Sequence, residues 1–245
     1  MSRLFFLTVI LSIFLQGAKA QRALFLETPT PWADSLFQTL TLDQKIGQLF
    51  MVAAWSDPNH KSYDNAGIKR LIEKYNIGGL IFMQGSPVRQ ANLTNQYQSL
   101  SKVPLLLSMD AEWGLGMRLD STISFPRQMT LGASSSDQLT YEFGVEMARQ
   151  LKRIGVQVSF SPVLDINNNP KNPVISNRAF GEDRELVTRR GLMYMKGLQD
   201  HNVMAVAKHF PGHGDTDTDS HKDLPVIPHG RARLDSLEFY PYREL

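Results

Sequence analysis

The chain has no cysteine among its 245 residues, which excludes disulfide frameworks, thiolate zinc sites, a cysteine nucleophile and a lipid-modified cysteine behind a leader. An excess of one charge is missing too: 26 Lys and Arg face 24 Asp and Glu, for a formal net charge of +2. No Lys/Arg run breaks this balance. Binding to a phosphate backbone needs clustered cations that release counterions, so nucleic acid is excluded as a partner. No glycine-rich phosphate loop follows the first apolar run, which weakens the case for a nucleotide site. Long apolar runs are scarce as well. The longest, Leu4 to Leu15, falls short of the ~20 residues a spanning helix needs. Internal repeats and low-complexity stretches are absent. What remains is a globular composition, 42% hydrophobic and 20% charged with 17 Gly and 13 Pro, sufficient to bury a sizeable core.

The first residues read as a secretory leader. Met1-Ser2-Arg3 gives a basic start, Leu4 to Leu15 an apolar stretch, and Ala18-Lys19-Ala20 a small-residue cleavage site. The expected organisation is a signal peptide at 1–20 and one domain at 21–245. Cleavage removes Arg3 and Lys19, leaving a formally neutral chain. That chain is expected to be exported to a periplasm or beyond, soluble and free of the membrane, with its oligomeric state open. Asn92-Leu93-Thr94 fits a glycosylation pattern that recurs by chance and is discounted.

Short β-rich runs then alternate with helical patterns. Gln48 to Ala53, Gly79 to Met83, Val103 to Met109, Val156 to Phe160 and Val203 to Ala207 read as strands. Ile68 to Tyr75, Ser86 to Leu100 and Arg184 to Gln199 read as helices. A further helix is the clearest: Ser136 is its N-cap, Leu139, Phe143, Met147, Leu151 and Ile154 form one apolar stripe, and Gly155 stops it. Runs apolar on both faces, separated by amphipathic helices, predict an α/β fold with a parallel, helix-covered sheet. Asp110, Asp165 and Lys208-His209 all fall just past strand ends, which favours a TIM barrel, where those ends share one mouth. About five β/α units are legible, whereas eight typically take ~250 residues. The expectation is therefore an incomplete (β/α)8 barrel.

Chemistry concentrates between Lys208 and Pro225, where three of the six His and four Asp share eighteen residues. The segment is poor in apolar residues and holds Pro211, Gly212 and Gly214, so it is expected to lie on the surface and to move. A calcium loop would match Asp215, Asp217 and Asp219, but Ser220 stands at the turn-glycine position and Val226 at the bidentate one. A zinc site would use His209, His213 and His221, yet no H-E-x-x-H exists and the intervening glycines make a loose set of ligands. No metal or cofactor is expected. The third reading is an acid/base pair. Asp219 and His221, two apart, project to one side of an extended segment, so the carboxylate orients the imidazole and stabilises its protonated form.

The run from Lys208 to Pro225 resembles the signature K-H-F-P-G-H-G-D-T-x-x-D-S-H of glycoside hydrolase family 3, in its β-N-acetylglucosaminidase branch. Phe160 to Asn167, Asn172 to Ile175 and Arg178 to Asp183 resemble neighbouring blocks of that family, and the likeness runs from about Leu40 onward. It implies a barrel that releases terminal N-acetylglucosamine with retention of configuration, from peptidoglycan fragments, chitin oligosaccharides or glycoconjugates. It also implies an aspartate nucleophile, with His221 as acid/base and Asp219 as its partner. Asp110, Arg118, Arg178, Lys208 and His209 match positions that bind the sugar. Arg and Lys donate to hydroxyl oxygens and Asp accepts from hydroxyls, which suits those roles. Arg178 has a plainer alternative, a salt bridge to Glu182 or Asp183, and Asp165 reads equally as an internal brace. Two departures stand out. Asp110-Ala111-Glu112-Trp113-Gly114-Leu115-Gly116-Met117-Arg118 carries a Trp where the family's D-x-E-G-G-x-V-x-R has its first glycine, and Trp113 suits either a sugar face or packing beside the strand. Nothing after His221 resembles the nucleophile, which the resemblance puts on a later strand. The competing readings are a β-glucosidase-like relative and a sugar-binding fragment without turnover.

Overall fold

A computed structural model describes residues 28–245. The expected signal peptide at 1–20 lies outside them. The described residues 28–41 belong to one unit and Leu42–Leu245 form another. In the first unit, α1 (Pro31–Thr39) starts on a proline, which costs nothing where a helical N–H has no partner.

The second unit opens with α2 (Leu42–Gly47) and then alternates strand and helix: β1 (Met51–Ala54), α3 (Asn65–Tyr75), β2 (Gly79–Phe82), α4 (Pro87–Leu100) and β3 (Leu106–Met109). It continues with α5 (Gln128–Ala133), α6 (Asp137–Arg153), β4 (Val158–Ser159), α7 (Arg184–Gln199), β5 (Met204–Ala205), α8 (Arg231–Ser236) and α9 (Tyr240–Glu244). All five strands are parallel and lie in the order β1-β2-β3-β4-β5. A doubly wound sheet reverses its strand order at a switch point, whereas a sheet that advances steadily in one direction is the wall of a (β/α) barrel. The barrel type expected from the polar strand ends is the one formed, with five strands present among the described residues.

The strands are shorter than the apolar runs. β4 and β5 hold two residues each where five were expected, although Gln157 and Phe160 still donate to Leu107 and Met109 across the β3–β4 seam. Leu80, Phe82, Leu107 and Met109 are essentially inaccessible and share one core with Ile72, Tyr97 and Met147 of the covering helices. Small hydroxyls are buried too, as in the 2.7 Å contact between Ser159 Oγ and Ser161 Oγ. Helix boundaries follow their capping residues. Asp64, Ser86, Ser136 and Asp183 each accept the backbone N–H three residues on. Gly155 ends the longest of the described helices with φ +77. One stripe residue is corrected. Leu139 is 47% exposed, because the buried face of α6 runs through Thr140, one position further round the turn. Among the described residues no helix is long and apolar enough to cross a membrane.

Candidate active site

The polar groups that follow β3 and β5 meet. Asp110, directly after β3, accepts from Arg118 Nη2 on one oxygen and from Lys208 Nζ on the other, the latter at 2.8 Å. Two residues on, Glu112 is 1% exposed and receives a two-pronged contact from Arg178, Nε at 2.9 Å and Nη2 at 2.7 Å. Lys208 Nζ lies 2.7 Å from the same carboxylate. Burial pushes both acids upward, but the cations win. Lys208 and Arg118 hold Asp110 below the usual carboxylate range, and Arg178 and Lys208 do the same to Glu112. Arg178 experiences the reciprocal effect: burial opposes its charge, yet Glu112, with Asp165 and Asp110 behind it, raises it further. Its ion pair is thus with Glu112, and the alternative pairing with Glu182 or Asp183 is not made; Asp183 caps α7 instead.

A second layer fixes His209. Asp165 is fully buried and its Oδ2 lies 2.6 Å from His209 Nδ1, while His209 Nε2 lies 3.2 Å from Arg178 Nη2. A guanidinium only donates, so Nε2 is the acceptor and Nδ1 carries the proton given to Asp165. The other oxygen of Asp165 takes the backbone N–H of His213 at 2.6 Å and that of His209 at 3.3 Å. Asp165 is therefore the brace the sequence allowed for, and it secures the root of the histidine-rich segment.

That segment is only half the mobile surface loop expected. His213 and Thr216 are buried, bonded to each other, and Asn172 Nδ2 donates to the His213 carbonyl at 2.6 Å. Burial pushes the His213 imidazole below its ordinary value; Asp165 opposes this, and His209 adds to it. Phe210 and Pro211 are exposed, the chain turns inward from Gly212 to Thr216 and is exposed again from Asp217, and the loop's neck is closed by Asp215 Oδ2 to His229 Nε2 at 2.6 Å. The dyad rides on this outer part. His221 Nδ1 lies 2.8 Å from Asp219 Oδ1, and the His221 backbone N–H donates to the same oxygen at 2.9 Å. Those two contacts, the backbone one foremost, lower the Asp219 carboxyl. The pairing is as expected but its cause is not. The Lys222 and Asp223 N–H groups both bond the Asp219 carbonyl, so the backbone turns here and is not extended.

Asp110, Arg118, Arg178, Lys208, His209 and His221 line one cleft of about 360 Å³, with Glu112, Trp113, Met117, Val174, His213 and Ser220. Asp219 stands behind His221. A second cavity, of about 470 Å³, lies behind the loop between Phe210, Pro225, Ile227 and Leu234 and shares His209, His213 and Ser220 with the cleft. The imidazoles proposed for zinc are otherwise engaged: His209 by Asp165 and Arg178, His213 by Thr216 and His221 by Asp219. Sequence reasoning passed over Glu112. Its signal was present, since a carboxylate two residues after Asp110 at a strand end faces the same mouth. Chemically, the cleft offers cations and carboxylates that hold each other in place and keep spare lone pairs and N–H groups for hydroxyls. A solvent-reachable His/Asp pair stands at its edge.

The model of the glycosyl hydrolase family 3 N-terminal domain matches residues 41–245. A beta-hexosaminidase A of Pseudoalteromonas piscicida is 35% identical over 191 residues, which cover 73% of this chain and 32% of the relative. A beta-N-acetylglucosaminidase/beta-glucosidase of Cellulomonas fimi is 29% identical, covering 78% of this chain and 33% of its own length. The solved family 3 beta-N-acetylglucosaminidase of Paenibacillus sp. str. FPU-7 superposes with a TM-score of 0.75 at 41% identity, covering 84% of this chain and 40% of that one. The chain thus spans about a third of the length of the first two relatives.

Proposed function

The chain belongs to glycosyl hydrolase family 3, and we propose that it serves a retaining, exo-acting β-N-acetylglucosaminidase that removes terminal N-acetylglucosamine from glycosides such as peptidoglycan fragments or chitin oligosaccharides. The observation that carries this reading is the His221/Asp219 pair at the edge of a cleft whose other polar residues are placed for hydroxyl recognition. Asp110 accepts from sugar hydroxyls, Arg118, Arg178 and Lys208 donate to them, and His209 contributes an imidazole held in one tautomer. Asp219 accepts a hydrogen bond from His221 Nδ1–H, which leaves Nε2 to exchange a proton with the substrate.

In the first half-reaction His221 Nε2 gives its proton to the glycosidic oxygen as the C1–O bond breaks and a carboxylate bonds C1. In the second, His221 takes a proton from water as that water displaces the carboxylate and frees the sugar. Asp110 and Glu112 are each held between two cations, which suits binding and not attack. We assign the nucleophile to a residue outside this sequence. The His221 side chain is 79% exposed, so proton transfer calls for the loop to fold over the sugar. We further assign residues 1–20 to export, which locates the activity in a periplasm or outside the cell.

The test is hydrolysis of aryl glycosides by a protein that carries this chain together with the nucleophile, and by its His221→Ala variant. The substitution is expected to slow an N-acetylglucosaminide with a poor leaving group far more than one with an activated aryl group, because only the former needs a proton. Equal losses on both remove His221 from the acid role. A β-glucosidase-like activity is the second reading, favoured by the double name of the Cellulomonas fimi relative. Aryl glucosides and aryl N-acetylglucosaminides, compared side by side, decide between the two.

A further inference from the structure

Trp113 is the residue at which this chain departs from the family's glycine. It is also the largest apolar side chain on the cleft wall, next to Met117 and Val174. Its surroundings are unlike those of a core tryptophan. The ring is partly exposed, and the Arg127 guanidinium lies over it, 3.8 Å from the centroid. A cation on one π face leaves the opposite face as the ring's contribution to the cleft. The backbone on either side is fixed. Glu112, one residue before, is buried between Arg178 and Lys208, and the Trp113 carbonyl accepts the Phe125 N–H at 2.9 Å. A flat ring held this way has lost its conformational freedom before any ligand arrives, so little entropy remains to be lost on binding.

The remaining cleft residues explain what such a ring is for. Charged groups recognise hydroxyls at a sugar's rim but offer nothing to its faces. A gluco-configured pyranose carries its hydroxyls equatorially, so each face presents axial C–H bonds, weakly positive and apolar, that match the negative face of an indole. We propose that Trp113 is the stacking platform for the terminal sugar, kept in orientation by Arg127, with the charged residues of the cleft reading the sugar's edge. This rests on the reading of the cleft as a sugar site.

N-acetylglucosamine binding, measured by calorimetry and by saturation transfer from protein to sugar protons, tests it without requiring turnover. In the unsubstituted protein the axial ring protons are expected to saturate most. Trp113→Phe keeps that pattern with a modestly weaker Kd. Trp113→Ala loses the pattern and binds about five- to tenfold more weakly. Trp113→Leu fills the space without a π face and is expected to behave like Ala, so it carries the test should the Ala variant fold poorly. A Leu variant that matches the unsubstituted protein in both Kd and pattern overturns the platform and leaves the cleft a sugar site. Absence of sugar binding by the unsubstituted protein overturns the sugar-site reading itself, and the platform with it.

Discussion

Asp165 accepts three hydrogen bonds on two oxygens, from the ring and backbone of His209 and the backbone of His213. An asparagine there keeps one acceptor and turns the other into a donor. If the new amide N–H faces His209 Nδ1, that atom must accept, its proton moves to Nε2, and Nε2–H then confronts the Arg178 N–H at 3.2 Å. If the amide is turned the other way, it opposes two backbone N–H groups. Either arrangement leaves a buried group unpaired, at about 1–3 kcal/mol. Asp165→Asn is therefore expected to lower stability by that amount and weaken N-acetylglucosamine binding about tenfold. The diagnostic measurement is the ¹⁵N spectrum of the His209 ring, which should lose its Nδ1-protonated signature. A spectrum unchanged from the unsubstituted protein would show that Asp165 does not set the tautomer. None of this was visible in the sequence, where Asp165 read equally as brace or ligand. The acceptor count depends on which N–H groups the fold delivers to one carboxylate from 44 and 48 residues away.

The α6 and α7 helices approach through a notch of small residues. A Cβ built on Gly197 would sit 2.3 Å from the Tyr141 carbonyl oxygen and 2.8 Å from Gly144 Cα, while one on Gly144 would sit 2.5 Å from the Tyr194 carbonyl. Two effects compete in Gly197→Ala. Helix propensity favours alanine by about 1 kcal/mol, and overpacking against rigid backbone costs about 1–3 kcal/mol. The obstruction is backbone and not the end of a pliable side chain, so packing wins. The variant is expected to be destabilised by about 1–2 kcal/mol in denaturant titration; an alanine that stabilises would mean that the helices slide apart freely. The notch also bears on what could be read in advance. The helix expected at roughly Arg184 to Gln199 has those bounds, and the Asp183 side chain that caps it is a local signal the sequence carried unread. The phase of α6 was legible, with Phe143, Met147, Leu151 and Ile154 buried as expected, and only the first position differs, Thr140 lying inward where Leu139 was expected. Strands β4 and β5 were overextended because apolar runs record burial, while strand assignment records pairing with a neighbour.

The barrel was distinguishable from a doubly wound sheet by where its polar residues fall and by the missing glycine-rich loop after the first strand, and the same polar placement ties the wall together. Asp110 and Glu112 after β3 share Lys208 after β5, and Arg178 joins them from the segment between β4 and α7, so unfolding must break the whole charge cluster. This connects acid stability to the candidate cleft. Asp110 and Glu112 have depressed folded-state values. Their stabilisation is complete above the unfolded carboxylate values, about 3.9 for Asp and 4.3 for Glu, and is lost as pH falls through the folded ones. His213 is depressed as well, with burial as the leading cause. Its neutral ring contributes stability above the unfolded value of about 6.5 that likewise disappears as pH falls. The folding free energy, measured by denaturant titration from pH 8 to pH 3, is thus expected to decline in two legs, a shallow one below about pH 6.5 and a steeper one below about pH 4.3. His213→Gln should remove the upper leg alone. Glu112→Gln should flatten the lower leg while costing about 3 kcal/mol at neutral pH, because it leaves Arg178 and Lys208 short of a buried counter-charge. A lower leg just as steep in Glu112→Gln would mean that acid unfolding starts elsewhere and that the cluster at the cleft does not hold the wall.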